Sequence, residues 1–236
     1  MAETKNIGAI ADELSRDIFR HFRWQTHPKT DDNFPCGDTS HTGTGGKPKA
    51  THPGDVVFFY SDPYLGKPIY LHTDLKSYAK DSITATTLRS AFRSLCLTID
   101  CAKCSGTWRE KYSVPASEPH DVRGLLFLNN HDNGYDKAFY DAVDKISLEG
   151  LPIAAGTQIH YLGPHDIQRL YSIANDLLRQ IAADEIPKDY TFYYPDLVMT
   201  RRQGDVWGHL RRLKLLQHHT SSSSIKPQLK IVDLVI

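Results

Sequence analysis

Apolar residues recur at helical spacing over residues 5–24. Ile7, Ile10, Ala11, Leu14, Ile18, Phe19 and Phe22 fall on one stripe of an amphipathic helix. Arg16, Arg20 and Arg23 lie largely off that stripe and read as its solvated side. Further on, the period drops from that of a helix to that of a strand. The run Pro53 to Tyr60 predicts one strand, Ser61 to Lys67 supplies Pro and Gly for a turn, and Pro68 to Tyr78 predicts a second strand. On the second, Ile69, Leu71, Thr73 and Leu75 face one way, while Tyr70, His72, Asp74 and Lys76 face the other.

The remaining pattern alternates helix and strand. Leu88, Ala91, Phe92, Leu95 and Leu97 predict a helix over 84–102 packed on the strand pair. A short buried strand is expected at Gly124–Leu128, a helix at 135–147, a strand at Gln158–Leu162, and a helix from His165 to about Asp184. Tyr190–Tyr194 and the near-continuously apolar Leu229–Ile236 also read as strands. Seven glycines and prolines between Pro35 and Pro53 mark an irregular loop within residues 25–54. A loop of that length inside a folded unit is commonly functional or mobile. The expected architecture is mixed α/β with one main domain, and the region beyond about residue 150 completes it or adds a small layer.

Composition narrows the partners. The 236-residue chain is 40% hydrophobic and 24% charged, ordinary for a globular protein. Its 28 basic and 28 acidic residues balance to a formal net charge of zero, so any nucleic-acid contact must rest on a local patch. The densest basic stretch, Arg201, Arg202, Arg211, Arg212 and Lys214 around Trp207 and His209, is the candidate for phosphate-backbone contact. An interface for a protein partner is the competing reading. Apolar runs stay short of the roughly 20 residues of a membrane span, and the N-terminus lacks a signal-peptide core. With 4 cysteines and no disulfide framework, a cytoplasmic setting is expected.

The chemistry concentrates on the strand pair. Asp55 opens the first strand, and Asp74, Leu75 and Lys76 end the second, with Asp74 and Lys76 on one face. Mg²⁺ takes oxygen ligands and keeps several waters, so one or two carboxylates and a substrate phosphate suffice to hold it. Asp55 and Asp74 suit that role, with the Leu75 carbonyl as a further ligand. Lys76 stands where it would orient a water and stabilise negative charge, since flanking acids keep its amine charged.

This grouping resembles the PD-(D/E)xK superfamily, the restriction-endonuclease-like nucleases. There, a helix with a glutamate precedes a strand with an aspartate, a strand with acid-x-Lys, and another helix. Glu13 in the stretch Ile10 to Ser15, Asp55, then Asp74-Leu75-Lys76 and the helix at 84–102 follow that order over roughly residues 5–105. Gly54, rather than proline, precedes Asp55. The resemblance implies a nuclease core over residues 1–150 with a C-terminal α/β extension over 151–236. It implies Mg²⁺, with Mn²⁺ as substitute, bound by Glu13, Asp55, Asp74 and Leu75, and hydrolysis of DNA rather than RNA with Lys76 acting on the water. The chain is similar, more narrowly, to nuclease-fold subunits of bacterial anti-phage defence systems. That implies a homodimer, or a hetero-complex with a second nuclease-like subunit. The alternative is a catalytically silent nuclease-fold subunit that binds nucleic acid or scaffolds a partner.

Other motifs carry less. Gly43 to Lys47 lacks the upstream glycine and the following hydroxyl of a phosphate loop. Cys101 and Cys104 have the spacing of half a zinc site, which Cys36, Cys96, His41 or His52 would have to complete. Two reduced cysteines at a helix end account for them more simply. Asn129 to Asn133 reads as a polar loop after a strand, placed to line the rim of the site.

Overall fold

The two alternating segments around Val56 and Ile69 form the middle of a six-stranded sheet in the computed structural model. It describes residues 2–190, apart from 44, 63, 64, 148, 150 and 152–155, together with residues 230–233. In chain order the elements are α1 (Ala2–Asp17), β1 (Gln25–Thr26), β2 (Phe34–Pro35), β3 (Thr51–His52), β4 (Val56–Asp62) and β5 (Lys67–Tyr78). Then follow α2 (Ala85–Cys104), α3 (Gly106–Lys111), β6 (Asp121–Asn130), α4 (Phe139–Asp144), β7 (Gln158–Leu162), α5 (Pro164–Ala182) and β8 (Lys230–Asp233). The sheet order is β1-β4-β5-β6-β7-β8, and β2 pairs with β3 separately. Strand β4 is antiparallel to β1 and β5, whereas β5 through β8 run parallel.

Strand alternation distributes the core over both faces. Val57, Tyr70, Leu126 and Leu128 pack with Leu88, Phe92 and Leu95 of α2, Trp108 of α3, and Phe139 and Val143 of α4. Phe58, Ile69, Leu71, Leu125 and Phe127 pack on the other side with Leu14 and Ile18 from the α1 region and Leu170 of α5. Helix α2 begins at Thr84, whose side chain accepts from the Thr87 amide, supplying the capping interaction its first turn lacks. It lies so close to β6 that a Cβ on Gly124 would come 3.1 Å from Leu95 and Ile159.

Several boundaries differ from the periodicity. The first helix stops at Asp17, Phe19–Phe22 tighten into a 3-10 turn, and Arg23 takes a left-handed φ of 63°. That turn lets Phe19 stack on Trp24 at 4.8 Å while Phe22 is also buried, which a straight stripe cannot arrange. Strand β6 outgrows its apolar run because it pairs with β5 over the whole of Ile69–Tyr78. The expected 135–147 helix is confined to α4. Of the expected strand at Tyr190–Tyr194, only Tyr190 falls among the described residues; the basic residues Arg201, Arg202, Arg211, Arg212 and Lys214 lie outside them. The helix-flanked mixed sheet has the expected restriction-endonuclease-like architecture, with β7 and α5 as its C-terminal α/β extension. Among the described residues, no helix is long and apolar enough to cross a membrane.

Candidate active site

Pairing between β4 and β5 ends at Val56 opposite Thr73. Continuing that register sets Asp55 opposite Asp74, at the carboxyl end of β5, where parallel strands commonly present their ligands. The Leu75 amide donates to Asp55 Oδ2 at 2.8 Å. In an extended strand the N–H and C=O of one residue project to the same edge, so the Leu75 carbonyl also faces the Asp55 side. Lys76 Nζ lies 2.6 Å from Asp74 Oδ1, an ion pair by distance whose angles fall outside hydrogen-bond geometry. Asp55, Asp74, Leu75 and Lys76 therefore meet at one point.

The surrounding backbone fixes Asp55 closely. The Asp31 amide donates to the Asp55 carbonyl at 2.8 Å and the Asp32 amide to the Gly54 carbonyl at 2.9 Å. A Cβ at position 54 would stand 2.4 Å from the Asp32 oxygen, so glycine is required where the superfamily's literal motif has proline. One residue earlier, the Pro53 carbonyl accepts from His72 Nε2 at 2.8 Å, while Trp108 Nε1 donates to His72 Nδ1 at 3.1 Å. His72 is thus a neutral, fully engaged structural residue, and burial pushes its pKa down to about 4.

Electrostatics follow from this crowding. Asp55 and Asp74 are only 8% and 4% exposed. Burial first, and the Asp74 charge second, raise the Asp55 carboxyl to about 7 against the opposing Leu75 amide. Burial works to lower the Lys76 pKa, but the charges of Asp74 and Asp55 outweigh it and the net shift is upward. Two mutually repelling buried carboxylates form an oxygen donor set that fits a hard divalent cation.

Glu13 stands apart. It is exposed on α1, whose apolar side packs on the sheet face opposite to Asp74 and Lys76. Among the described residues no hydrogen bond or ion pair joins it to that group. Lys49 went unnoticed in the sequence. It comes from the glycine-rich loop, reaches Ser94 Oγ at 3.4 Å, and feels the Asp74 charge, although burial gives its pKa a net downward shift. No spacing rule connects a loop lysine to a strand so far along the chain. The polar loop after β6 reaches the end of β5, with His131 Nδ1 3.2 Å from Ser77 Oγ.

Residues 1–166 match a family described as the GAPS4 protein PD-(D/E)XK nuclease domain. No curated protein and no solved structure matches the chain.

Proposed function

The chain belongs to the PD-(D/E)XK nuclease domain family of GAPS4 proteins, and from that premise we propose that it is a Mg²⁺-dependent nuclease hydrolysing phosphodiester bonds of DNA. The observation that carries the proposal is the meeting of Asp55 with Asp74 and Lys76, fixed by the bond from the Leu75 amide to Asp55. Asp55, Asp74 and the Leu75 carbonyl would hold the ion, with Mn²⁺ as substitute. The ion supplies charge compensation for the phosphate and lowers the pKa of a water. Lys76, kept as an ammonium by its neighbours, orients the attacking water and stabilises negative charge; it does not abstract the proton. Asp55 must shed its proton to act as a ligand, so affinity for the ion rises with pH up to about 7.

Glu13, on the opposite face of the sheet, stays outside the ligand set in this reading, and its replacement by Gln is expected to leave cleavage near the native rate. The silent-subunit alternative lacks a supporting observation. Burying two acids beside a lysine carries a desolvation cost that a scaffold has no need to bear. The same reading extends to a role in anti-phage defence, with a second nuclease-like subunit helping to surround a duplex. The test compares native protein with Asp55→Asn and Asp74→Asn for Mn²⁺ binding by calorimetry and for cleavage of linear and circular DNA. Each variant is expected to lose both while keeping its circular-dichroism spectrum. Full cleavage by either variant contradicts the proposal.

A further inference from the structure

Behind the carboxylate site, the irregular loop and α2 bring two cysteines and two histidines together. Cys36 Sγ lies 3.7 Å from Cys101 Sγ and 3.5 Å from His41 Nδ1, and Cys101 Sγ lies 3.3 Å from His41 Nδ1. His52 completes the group, and one ligand atom from each of the four falls within 4.8 Å of every other. We propose that Cys36, His41, His52 and Cys101 form a closed structural zinc site that ties the loop to α2.

The spacing is that of a tetrahedron. With Zn–S near 2.3 Å and Zn–N near 2.0–2.1 Å, tetrahedral edges measure about 3.8 Å between sulfurs and about 3.6 Å between sulfur and nitrogen. The three separations among Cys36, His41 and Cys101 lie close to those edges, and those to His52 stay within 4.8 Å. Both histidines are also set in the tautomer a ligand needs. His41 presents Nδ1 to the sulfurs while its Nε2 lies 3.0 Å from Asp100 Oδ2, the outer carboxylate that typically orients a zinc-bound imidazole. Asp38 Oδ2 stands 3.7 Å from the same Nε2.

For His52, the Thr98 hydroxyl spends its one proton on the Ser94 carbonyl at 2.9 Å. The contact of 3.3 Å between Thr98 Oγ1 and His52 Nδ1 therefore runs from Nδ1–H to the hydroxyl oxygen. That leaves Nε2 with a bare lone pair, and Nε2 is fully buried without a partner. An unpartnered buried lone pair beside two thiols is costly in an empty core and favourable beside a cation.

Mixed N and S donors in a tetrahedron select zinc, and two thiolates neutralise its charge. A two-iron cluster held by cysteines on one iron and histidines on the other would keep nitrogens and sulfurs much farther apart than 3.3–3.5 Å. His41, His52 and Cys101 are all buried, leaving no open position for a substrate, so the site is structural. It takes Cys101 from the Cys-x-x-Cys spacing but leaves Cys104, which is exposed, outside. Its consequence reaches the carboxylates: His52 precedes Asp55 by one short turn of chain, and Thr98 lines the recess that Asp55 and Asp74 share. None of this depends on the nuclease proposal.

The test is elemental analysis of the full chain purified without added metal or chelator, followed by Co²⁺ exchange. Zinc is expected in stoichiometric amount, resistant to dialysis and released when thiols are modified. The Co²⁺ form should show intense tetrahedral d–d absorption with a thiolate charge-transfer band. Cys36→Ser and His52→Gln should lose the metal, Asp100→Asn should weaken zinc binding by about 10- to 100-fold, and Cys104→Ser should retain it fully. Asp74→Ala should also keep its zinc, separating this site from the carboxylates. Folded native chain without zinc, a Cys36–Cys101 disulfide, iron in place of zinc, or equal loss on Cys104→Ser would each overturn the proposal. Should Cys36→Ser fail to fold, the native metal content and the Co²⁺ spectrum still decide it.

Discussion

Asp55 is the residue at which structure and chemistry meet, because its carboxyl is raised above the ordinary carboxylate range by burial and by Asp74. A raised acid binds more protons folded than unfolded between about pH 4 and pH 7, so it makes stability fall as pH rises through that window. Asp55→Asn removes the penalty while keeping an acceptor for the Leu75 amide. In protein free of Mg²⁺ and Mn²⁺, the variant should therefore melt above the native chain at about pH 8, by about 2–4 °C for each kcal/mol recovered. The advantage should shrink as pH falls towards 4 and vanish at about pH 3, where Asp55 is protonated in either state; an equal advantage at both ends of that range would contradict this account. Gly54 gives the opposite sign. Gly54→Pro restores the literal Pro-Asp pair but drives a Cβ into the Asp32 carbonyl, so melting temperature and metal affinity should both fall. The shared face of Asp74 and Lys76 was legible in sequence because a strand has a period of two. The bond from Leu75 to Asp55 was not, because cross-strand register is a tertiary property.

Strand entry is fixed at the level of elements by a relay from α3 to β5 to the segment before β4. Trp108 donates to His72, and His72 donates to the Pro53 carbonyl. Trp108→Phe keeps most of the packing but strands His72 Nδ1 in the core, so it should cost about 1–3 kcal/mol by denaturant melts. No loss of stability would show the relay to be idle. The strongly periodic elements, β5, α2 and α5, were readable because each has one long apolar stripe. The loop between β1 and β4 was readable only as irregular. It supplies three of the four donors to the proposed zinc site, at positions 36, 41 and 52, and only folding brings the fourth, Cys101 of α2, beside them. The exposed position of Glu13 shows the same limit: an apolar border on a helix does not say which sheet face the helix will cover.

For the whole molecule, zero net charge means that no global field draws it to a nucleic acid, and the proposed DNA binding would have to rest on local cations. If Arg211 and Arg212 contact phosphates, replacing both with Ala should reduce the log–log salt slope of binding by about 1.8. An unchanged slope would assign that stretch to a protein partner instead. The matched family spans residues 1–166, which includes the carboxylate site, α2 and β7. The measurement that tests the central claim most directly is cleavage of linear and circular DNA with Mg²⁺ by the native chain and by Lys76→Ala. It should be run alone and with any co-purifying nuclease-like partner. The account predicts metal-dependent cutting by the native chain, alone or in complex, and its loss in Lys76→Ala with metal binding retained. Undiminished cutting by Lys76→Ala, or no cutting by a folded, metal-bound native chain under either condition, would contradict it.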